Sequence, residues 1–419
     1  MGTKQSKPAI VWSLLLPLPL TAALIIPLLW SSRTSIAVGK TDFSDLYAAA
    51  YVVKEGQGHL LYNDDAQTEV KSRLFPEGRT TRTHNHLAFE ALCLVPLALL
   101  PYPAAATIWL LLSLALLAFT AYALEPFFPR LRKSIGVPLL VPCLAFYPIG
   151  QTLLQGQDSI VILALYSAAF ICLRSGRPYL AGVALALGLF KFHLVLPTIL
   201  LLALYRERRA VIGFLSAAVP VVALSVAVVG FSGTGQFANN LVISNSSLKD
   251  SSNQLRFALH PTAYSNIRGL VYWLLGSQYS DMVLILIVVL LTITVLIIAG
   301  LMYYRTPSDL QFPFAIVVTT LVSFHLYYHD ASIMLIPMFV AAEAALARRC
   351  NAKVLTTCFI ILMLAPLYPL SYIYDFASLM AIPIAITGVC LAVSHRDRQT
   401  QPSPTVPATA VLHARERRS

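Results

Sequence analysis

Long, uninterrupted apolar runs constrain this chain more than any other feature of its sequence. Runs of roughly 17 to 25 apolar residues recur along it, and this is the length that crosses a bilayer as a helix. Only 12% of its 419 residues are charged, about half of the share in a soluble domain. Because lipid cannot hydrogen-bond to the backbone, spanning runs form helices or closed barrels, and continuous rather than alternating runs form helices. The sequence therefore predicts an all-α polytopic membrane protein.

The basic residues indicate how the chain is oriented in the membrane. The formal net charge is +11, but the basic residues stand in short clusters between the apolar runs instead of forming one patch. This pattern orients membrane helices, and it argues against a nucleic-acid partner. Lys4 and Lys7 place the N-terminus in the cytoplasm, so a retained first helix over Ile10–Trp30 crosses outward. The polar segment Ser31–His86 then lies outside.

Prolines and helix lengths predict the path that follows. The apolar stretch Leu87–Leu124 is too long for one span, and Pro101–Pro103 divides it. We therefore expect Leu87–Leu100 to be an interfacial or re-entrant helix and only Ala104–Leu124 to cross. Further along, two short apolar helices are expected to rise and descend and to meet on the outer side, over Tyr179–Phe190 and Phe192–Tyr205.

Continued in this way, the basic clusters predict about twelve helices with both termini inside. Residues 1–394 form one transmembrane domain, with extracytoplasmic loops over 31–86 and 231–268. Residues 395–419 are rich in Pro, Ser, Thr and Arg, which predicts a disordered basic cytoplasmic tail.

Two carboxylates follow the first span. Asp42 and Asp45 are three residues apart, so in a helix they would share a face near the membrane surface. One interpretation is structural: Thr41 or Asp42 caps the start of an alanine-rich helix. The other is functional: a carboxylate in a partly dry cleft can accept a proton from a hydroxyl group.

Lys191 interrupts an otherwise apolar run. A lysine there must snorkel to the membrane surface or pair, so it is a candidate functional residue. The predicted topology puts it at the outer surface, where snorkelling is cheap. Its functional use would be to hold a phosphate as a point charge.

Several further polar residues are predicted to reach the same outer face. His325 and His329 lie four residues apart at the end of a helix predicted over Phe312–Tyr328, so they would share a face. Such a pair can bind a metal, but no third ligand has metal-motif spacing, and hydrogen bonding to a sugar or phosphate is the preferred interpretation. The topology gathers with them Gln157, Asp158, Arg268 and Asp330. This gathering favours a site for a polar group attached to a lipid.

Short motifs in a fixed order accompany these residues. They are Asp42-Phe43 with Leu46-Tyr47-x-Ala49-Ala50, Gly58 to Tyr62, Leu97-Ala98-Leu99-Leu100-Pro101, Gly156-Gln157, Arg177-Pro178-Tyr179-Leu180-Ala181-Gly182 leading to Lys191, Ser323-x-His325 with Asp330, and Leu335-x-Pro337. Together they resemble a GT-C fold glycosyltransferase of family 87, the polyprenyl-phosphate-mannose-dependent type. The chain departs from the family in having Asn85-His86-Leu87 where Tyr-Pro-Pro is common, and Phe324 where a proline usually follows Ser323.

The resemblance implies an inverting glycosyltransferase in the bacterial inner membrane, with its active site facing the periplasm. It implies a polyprenyl-phosphate sugar as donor, mannose as the expected hexose, and a lipid-linked or glycan hydroxyl as acceptor. Asp42 would be the general base, and Lys191 a donor-phosphate contact with Arg268 or His325 as further contacts. Neither a cofactor nor a metal is expected. The alternative is a transporter or flippase for a lipid-linked saccharide, which would need polar groups at mid-bilayer and two gates.

Overall fold

The chain is helical throughout the part that the structure describes. The computed structural model describes residues 8–76, 83–246, 248–257, 260–302, 305–364 and 376–394, and every regular element within these ranges is an α-helix or a short 3₁₀ turn. The prediction of an all-α polytopic membrane protein is confirmed. The predicted tail over 395–419 lies outside the described residues.

The N-terminal third contains the first loop and the first long helices. Its helices are α1 (Ala9–Leu15), α2 (Pro17–Ala37), α3 (Phe43–Lys54), α4 (Asp64–Leu74), α5 (Ala88–Ala98), α6 (Tyr102–Leu124) and α7 (Pro129–Ile135). As predicted, a short α5 ends before the prolines at 101 and 103, which lie at the N-cap and in the first turn of the long α6, where proline is favoured.

The middle third contains short, broken helices. They are α8 (Leu140–Ala145), α9 (Tyr147–Gln155), α10 (Ser159–Arg174), α11 (Pro178–Leu187), α12 (Phe192–Leu204) and α13 (Arg208–Ser246). The two short helices predicted around Lys191 are α11 and α12, which meet at a bend of 68°. The backbone of α13 is non-helical at Gly230, where φ is +70°, so this element is two helices joined at a kink.

The C-terminal third includes one correction to the predicted helices. Its helices are α14 (Ser251–Phe257), α15 (Ile267–Leu275), α16 (Asp281–Met302), α17 (Gln311–Val322), α18 (Leu335–Leu346), α19 (Ala352–Leu364) and α20 (Ala381–Ala392). The helix predicted to run to Tyr328 ends six residues earlier, at Val322. A 3₁₀ helix over His329–Met334 precedes α18.

Within the described ranges, five helical stretches are long and apolar enough to cross a membrane, or six if the bent pair α11–α12 counts as one span. The predicted number of about twelve spans stays a prediction.

The long helices differ in how much of their surface is buried. Only Leu284 and Ala299 are buried in α16, whereas α18 is buried over most of its length. Exposed leucine, isoleucine and valine side chains on α6, α13 and α16 form the surface that lipid would cover.

Two apolar cores position the site. The larger one joins α1 to helices α6 through α13 and α17 through α20. Within it α1 packs on α19, so the N-terminal helix contacts the C-terminal third. A second core is built from α3 and α5 with the start of α6. The first loop is therefore a packed helical layer attached to the bundle.

The close contact between α11 and α13 depends on glycine. A Cβ at Gly182 would lie 1.9 Å from the carbonyl oxygen of Ala210, and one at Gly213 would lie 2.0 Å from that of Tyr179. Backbone atoms cannot give way as a flexible side chain can. The small residues therefore let the two helices approach as membrane helices commonly do.

We expect Gly182→Ala to lower the free energy of unfolding by about 1–3 kcal/mol, the usual cost of overpacking. Thermal unfolding of the detergent-solubilised protein measures this change. Gly300→Ala on α16 is the matched control, since a Cβ there meets nothing within 4 Å and alanine stabilises a helix relative to glycine. An unchanged melting temperature in Gly182→Ala would contradict the close packing.

Candidate active site

One polar cavity lies between the first loop, the α11–α12 bend and the segment after α17. Its volume is about 320 Å³. Eight of the nine residues predicted for the site line it, namely Asp42, Asp45, Gln157, Lys191, Arg268, His325, His329 and Asp330. The ninth, Asp158, is buried directly behind the wall, where it contacts Lys191. The structure thus brings together all of the predicted residues.

Asp42 lies where α3 begins but does not cap the helix. It occupies the N-cap position, and its side chain makes no capping hydrogen bond. Its Oδ2 instead accepts a hydrogen bond of 2.6 Å from Nε2 of Gln157. The capping interpretation of Asp42 is therefore wrong, because the carboxylate turns towards the turn before α10.

A glycine turn holds Gln157 beside Asp42. Gly156 has φ +67°, and a Cβ there would lie 2.7 Å from Cβ of Phe43. Trp109 of α6 stacks on Phe43 at a centroid distance of 5.7 Å and donates through Nε1 to the carbonyl oxygen of Gly156, at 2.8 Å. Only glycine combines this left-handed backbone with so close an approach. Residues 156 and 157 are therefore fitted to the start of α3.

Asp45 shares the cavity but has a cationic partner. Nζ of Lys71 on α4 lies 2.7 Å from its Oδ1, and the lysine side chain is 3% exposed. This ion pair holds α4 against α3. Among their described contacts, Asp42 is thus bound by an amide of the bundle and Asp45 by an ammonium of its own loop.

Lys191 is buried between two carboxylates. Its Nζ lies 2.8 Å from Oδ1 of Asp158 and 2.5 Å from Oδ1 of Asp330, and all three side chains are at most 3% exposed. Ser159 donates to Asp330 as well, at 3.1 Å. The snorkelling interpretation is therefore wrong, because the bend between α11 and α12 turns the lysine inwards. Its charge is already balanced, which weakens its predicted role as a phosphate contact.

Arg268 is a buried cation with neutral partners. Its Nη1 donates to Oδ1 of Asn245 at 2.7 Å and to the carbonyl oxygen of Phe324 at 2.6 Å. The side chain is largely buried. Within the described ranges, no carboxylate lies within 4.0 Å of its guanidinium group. A cation held in this way keeps a net charge to offer to an anion.

The two histidines predicted to share a helix face lie in irregular backbone. His325 is in a bend after α17, and His329 begins the 3₁₀ helix. The helix ends at Val322 because the next carbonyl oxygens bind other groups: Asn266 donates to that of Ser323, and Arg268 to that of Phe324. The face-sharing argument is therefore wrong, although both rings reach the cavity.

Sequence reasoning missed a histidine pair and an acid on the first-loop side. His84 and His86 both line the cavity. Nδ1 of His86 lies 2.6 Å from Oε2 of Glu90 and 3.4 Å from Oδ2 of Asp158. Glu90 is an acidic residue near the start of an otherwise apolar stretch, four residues after His86. That spacing was the available signal.

The two histidines carry opposite pKa shifts. Burial lowers the pKa of His84 well below its usual value, and the nearby His86 and Lys71 lower it further. Burial also acts to lower the pKa of His86, but the Glu90 and Asp158 carboxylates outweigh burial and raise it. His84 is therefore neutral near pH 7, whereas the Glu90 and Asp158 carboxylates stabilise the imidazolium form of His86 against burial.

His86, Glu90 and Asp158 are also the described group with metal-ligand geometry, since their ligand atoms lie within 4.8 Å of one another. Their donor set of imidazole and carboxylates suits a divalent cation in type. The Lys191 ammonium, at 2.8 Å from Asp158, already supplies positive charge there. Electrostatics therefore favours a proton-stabilised cluster over a second cation beside the lysine.

We expect Lys191→Met to destabilise the fold strongly, by about 3–5 kcal/mol, because it leaves two buried carboxylates without their cation. Thermal or denaturant unfolding measures this loss. Adding Asp330→Asn to Lys191→Met removes one uncompensated charge and should recover part of it. Lys54→Met is the matched control: Lys54 pairs with Glu55 at 3.4 Å on the surface, where such pairs contribute about 0–1 kcal/mol. Equal stability of Lys191→Met and wild type would contradict the buried triad.

Comparison with known proteins assigns the family. The model of glycosyltransferase family 87 matches residues 88–327, which is more than half of the 419 residues. The match includes Gln157, Lys191 and Arg268, and it begins after Asp42. No curated protein and no solved structure matches the chain. The chain belongs to glycosyltransferase family 87, a family of the GT-C type, and is a membrane-embedded glycosyltransferase.

Proposed function

We propose that this glycosyltransferase moves a hexose, mannose, from a polyprenyl-phosphate sugar to a hydroxyl group of a lipid-linked or glycan acceptor, with inversion at the anomeric carbon. One observation carries the proposal. A single cavity is lined both by a carboxylate that Gln157 orients, Asp42, and by a buried guanidinium with neutral partners, Arg268. A base for the acceptor and a cation for the departing phosphate are the two groups that this displacement requires.

Asp42 has the position and the support that a general base needs. Its carboxylate is partly exposed on the cavity wall, and the Gln157 amide fixes the direction of Oδ2. The acceptor hydroxyl would give its proton to Asp42 as its oxygen attacks the anomeric carbon. Such proton transfer contributes about 10²–10⁴-fold to rate when the base is well placed.

Arg268 suits the phosphate better than Lys191 does. A departing polyprenyl phosphate gains negative charge as the bond to the sugar breaks, and a preorganised cation stabilises that charge. Arg268 has this capacity because its hydrogen-bonded partners are uncharged oxygens, and the Asp281 carboxylate acts on its charge from beyond the Tyr272 hydroxyl. Lys191 lies between two carboxylates, so we assign it to holding the cavity wall. His325 and His329 would then contact the sugar or the phosphate oxygens, and Asp330 could accept only from a sugar hydroxyl.

The orientation of the cavity towards the periplasm is likewise a proposal. Asp158 precedes α10, and Arg174 ends it, so the two lie about 24 Å apart along a helix of 16 residues. Around Arg174 a second cavity of about 640 Å³ is lined by Arg130 and Arg349 as well. An arginine-rich end faces the cytoplasm under the positive-inside rule. The site at the other end of α10 would then face outwards.

We expect Asp42→Asn to reduce transfer by about 10²–10⁴-fold, because the amide cannot take the hydroxyl proton. The assay is incorporation of radiolabelled mannose from polyprenyl phosphate mannose in membranes that contain the protein. Asparagine can still accept from Gln157, so folding should be unchanged.

Asp65→Asn is the matched control for this variant. Asp65 is exposed on α4 in the same loop and lies outside the cavity, so its loss should leave transfer unchanged. Turnover like that of wild type in Asp42→Asn would remove Asp42 from the mechanism. If the wild-type protein transfers no mannose from polyprenyl phosphate mannose, other lipid-phosphate sugars should be tested as donors.

We expect Arg268→Gln to lower kcat/KM for the donor by about 10²–10³-fold, as loss of one preorganised charge contact does. Polyprenyl phosphate without sugar should also inhibit this variant less than it inhibits wild type. Arg305→Gln, at an exposed arginine, is the control. Unchanged donor kinetics in Arg268→Gln would assign the phosphate to another group.

A further inference from the structure

The surroundings of His86 carry more negative than positive charge. Glu90 and Asp158 lie directly beside the ring, and Asp330 is linked to Asp158 through Lys191. Three acidic groups thus share one ammonium in a buried cluster: Asp158 and Asp330 contact it, and Glu90, whose pKa burial raises to about 7, contacts His86. Buried charge must be balanced, and a second positive charge on the His86 imidazole supplies part of the balance.

The ring is also fixed in orientation. Nδ1 points to Glu90 at 2.6 Å, so Nε2 is the nitrogen that can face the cavity, which His86 lines. The hydroxyl of Tyr62 donates to the carbonyl oxygen of His86 at 2.8 Å and anchors its backbone. A carboxylate bound to one nitrogen of a ring that lines a cavity is an arrangement that sets the tautomer and direction of an imidazole.

The other titratable groups around the ring do not duplicate this role. His84, on the same segment, is buried and neutral, and His193 on α12 binds Ser323 through Nδ1 at 2.9 Å. Lys191 is balanced by its two carboxylates. On the first-loop side of the described cavity, His86 is therefore the group suited to give a proton to an anion.

We propose that His86, held by Glu90, is the general acid that protonates the departing phosphate of the lipid-linked donor. The inference rests on the proposed function and deepens it. His86 would be a catalytic residue that touches the phosphate oxygen, and Glu90 a positioning residue that acts through the ring. The position falls in Asn85-His86-Leu87, where this chain departs from the pattern of the family it resembles.

The step balances in atoms and charge. The acceptor oxygen forms a bond to the anomeric carbon while the bond from that carbon to the phosphate oxygen breaks, and the electron pair of the broken bond stays on the phosphate. The acceptor proton goes to Asp42, and the Nε2 proton of His86 goes to the phosphate. The departing lipid therefore leaves as a monoanion, and solvent exchange restores Asp42 and His86. The Arg268 guanidinium stabilises the negative charge of the phosphate throughout and exchanges no proton.

The test is the pH dependence of transfer in His86→Gln. In wild type, kcat should fall as pH rises through the pKa of His86, because the proton needed by the leaving group is lost. In His86→Gln that alkaline decline should be absent, and kcat should be about 100-fold lower at its optimum. KM for the donor should change less than kcat. Retention of the wild-type alkaline decline in His86→Gln would overturn the proposal.

Glu90→Gln separates catalysis from folding. The amide oxygen can still accept from Nδ1, so the ring should keep its orientation while losing the carboxylate that stabilises the imidazolium. The alkaline decline should then move to lower pH by about 1 or more. An unmoved decline would contradict the role of Glu90. His59→Gln, at an exposed histidine of the same loop outside the cavity, should keep the wild-type profile.

A binding measurement separates this inference from the proposed function. Thermal unfolding with and without polyprenyl monophosphate, at fixed pH 6.5, needs no acceptor and no turnover. Stabilisation should be smaller in His86→Gln than in wild type and unchanged in Asp42→Asn. Equal stabilisation of His86→Gln and wild type would overturn the contact of His86 with the phosphate. Loss of transfer in Asp42→Asn beside a wild-type profile in His86→Gln would leave the proposed function intact and remove only the general acid.

Discussion

The ammonium of Lys191, bound by Asp158 and Asp330, is the interaction on which the cavity depends. It joins three distant parts of the chain: the turn before α10, the bend between α11 and α12, and the 3₁₀ helix before α18. At exposures of 3% or less these charges have exchanged nearly all of their water for one another. Separating them in a medium of low polarity would leave bare charges, so the three segments stay together. The inner wall of the cavity is therefore held together by a buried ion-pair cluster within an apolar bundle.

This ion-pair cluster determines which cations remain available for chemistry. A lysine between two carboxylates has little charge to offer a phosphate, although it lines the cavity. Arg268 is buried to a similar degree, but its guanidinium is held by oxygens of Asn245 and Phe324. The charge of the partner, and not the residue type, separates the structural cation from the one available to a substrate. Among the described contacts of the two carboxylates, the Lys71 ammonium binds Asp45 and the Gln157 amide binds Asp42.

The sequence was sufficient for the helical class, the break at residues 101–103 and the pair of short helices around Lys191, because apolar length and proline act locally. It also gathered the site residues, since alternation of loops across a membrane decides which polar residues meet. Local sequence patterns could not predict which distant residues contact a given side chain or carbonyl oxygen. The helix predicted to Tyr328 ends at Val322 because Asn266 and Arg268, far along the chain, bind the following carbonyl oxygens. Lys191 turns inwards for the same reason, because its partners are 33 and 139 residues away. The sequence analysis missed His86 and Glu90 because their role depends on contact with Asp158, which lies far from them along the chain.

The base and the cation of the proposed reaction come from different parts of the chain, and their relative position must be fixed for a displacement to occur. Asp42 belongs to the first loop, before the region matched by the family model, and Arg268 lies within that region. The turn at residues 156 and 157 fixes the position of Asp42 relative to the bundle that carries Arg268. Gly156 packs against Phe43 with no room for a Cβ, Trp109 holds both, and Gln157 reaches the Asp42 carboxylate. The departures from the family pattern, at residues 85–87 and 324, lie elsewhere on the cavity. The contacts that align Asp42 come from the backbone of Gly156, the indole of Trp109 and the amide of Gln157, and none of these residues is at a position that departs from the family pattern. Residues that face the substrate can therefore differ while the base keeps its place.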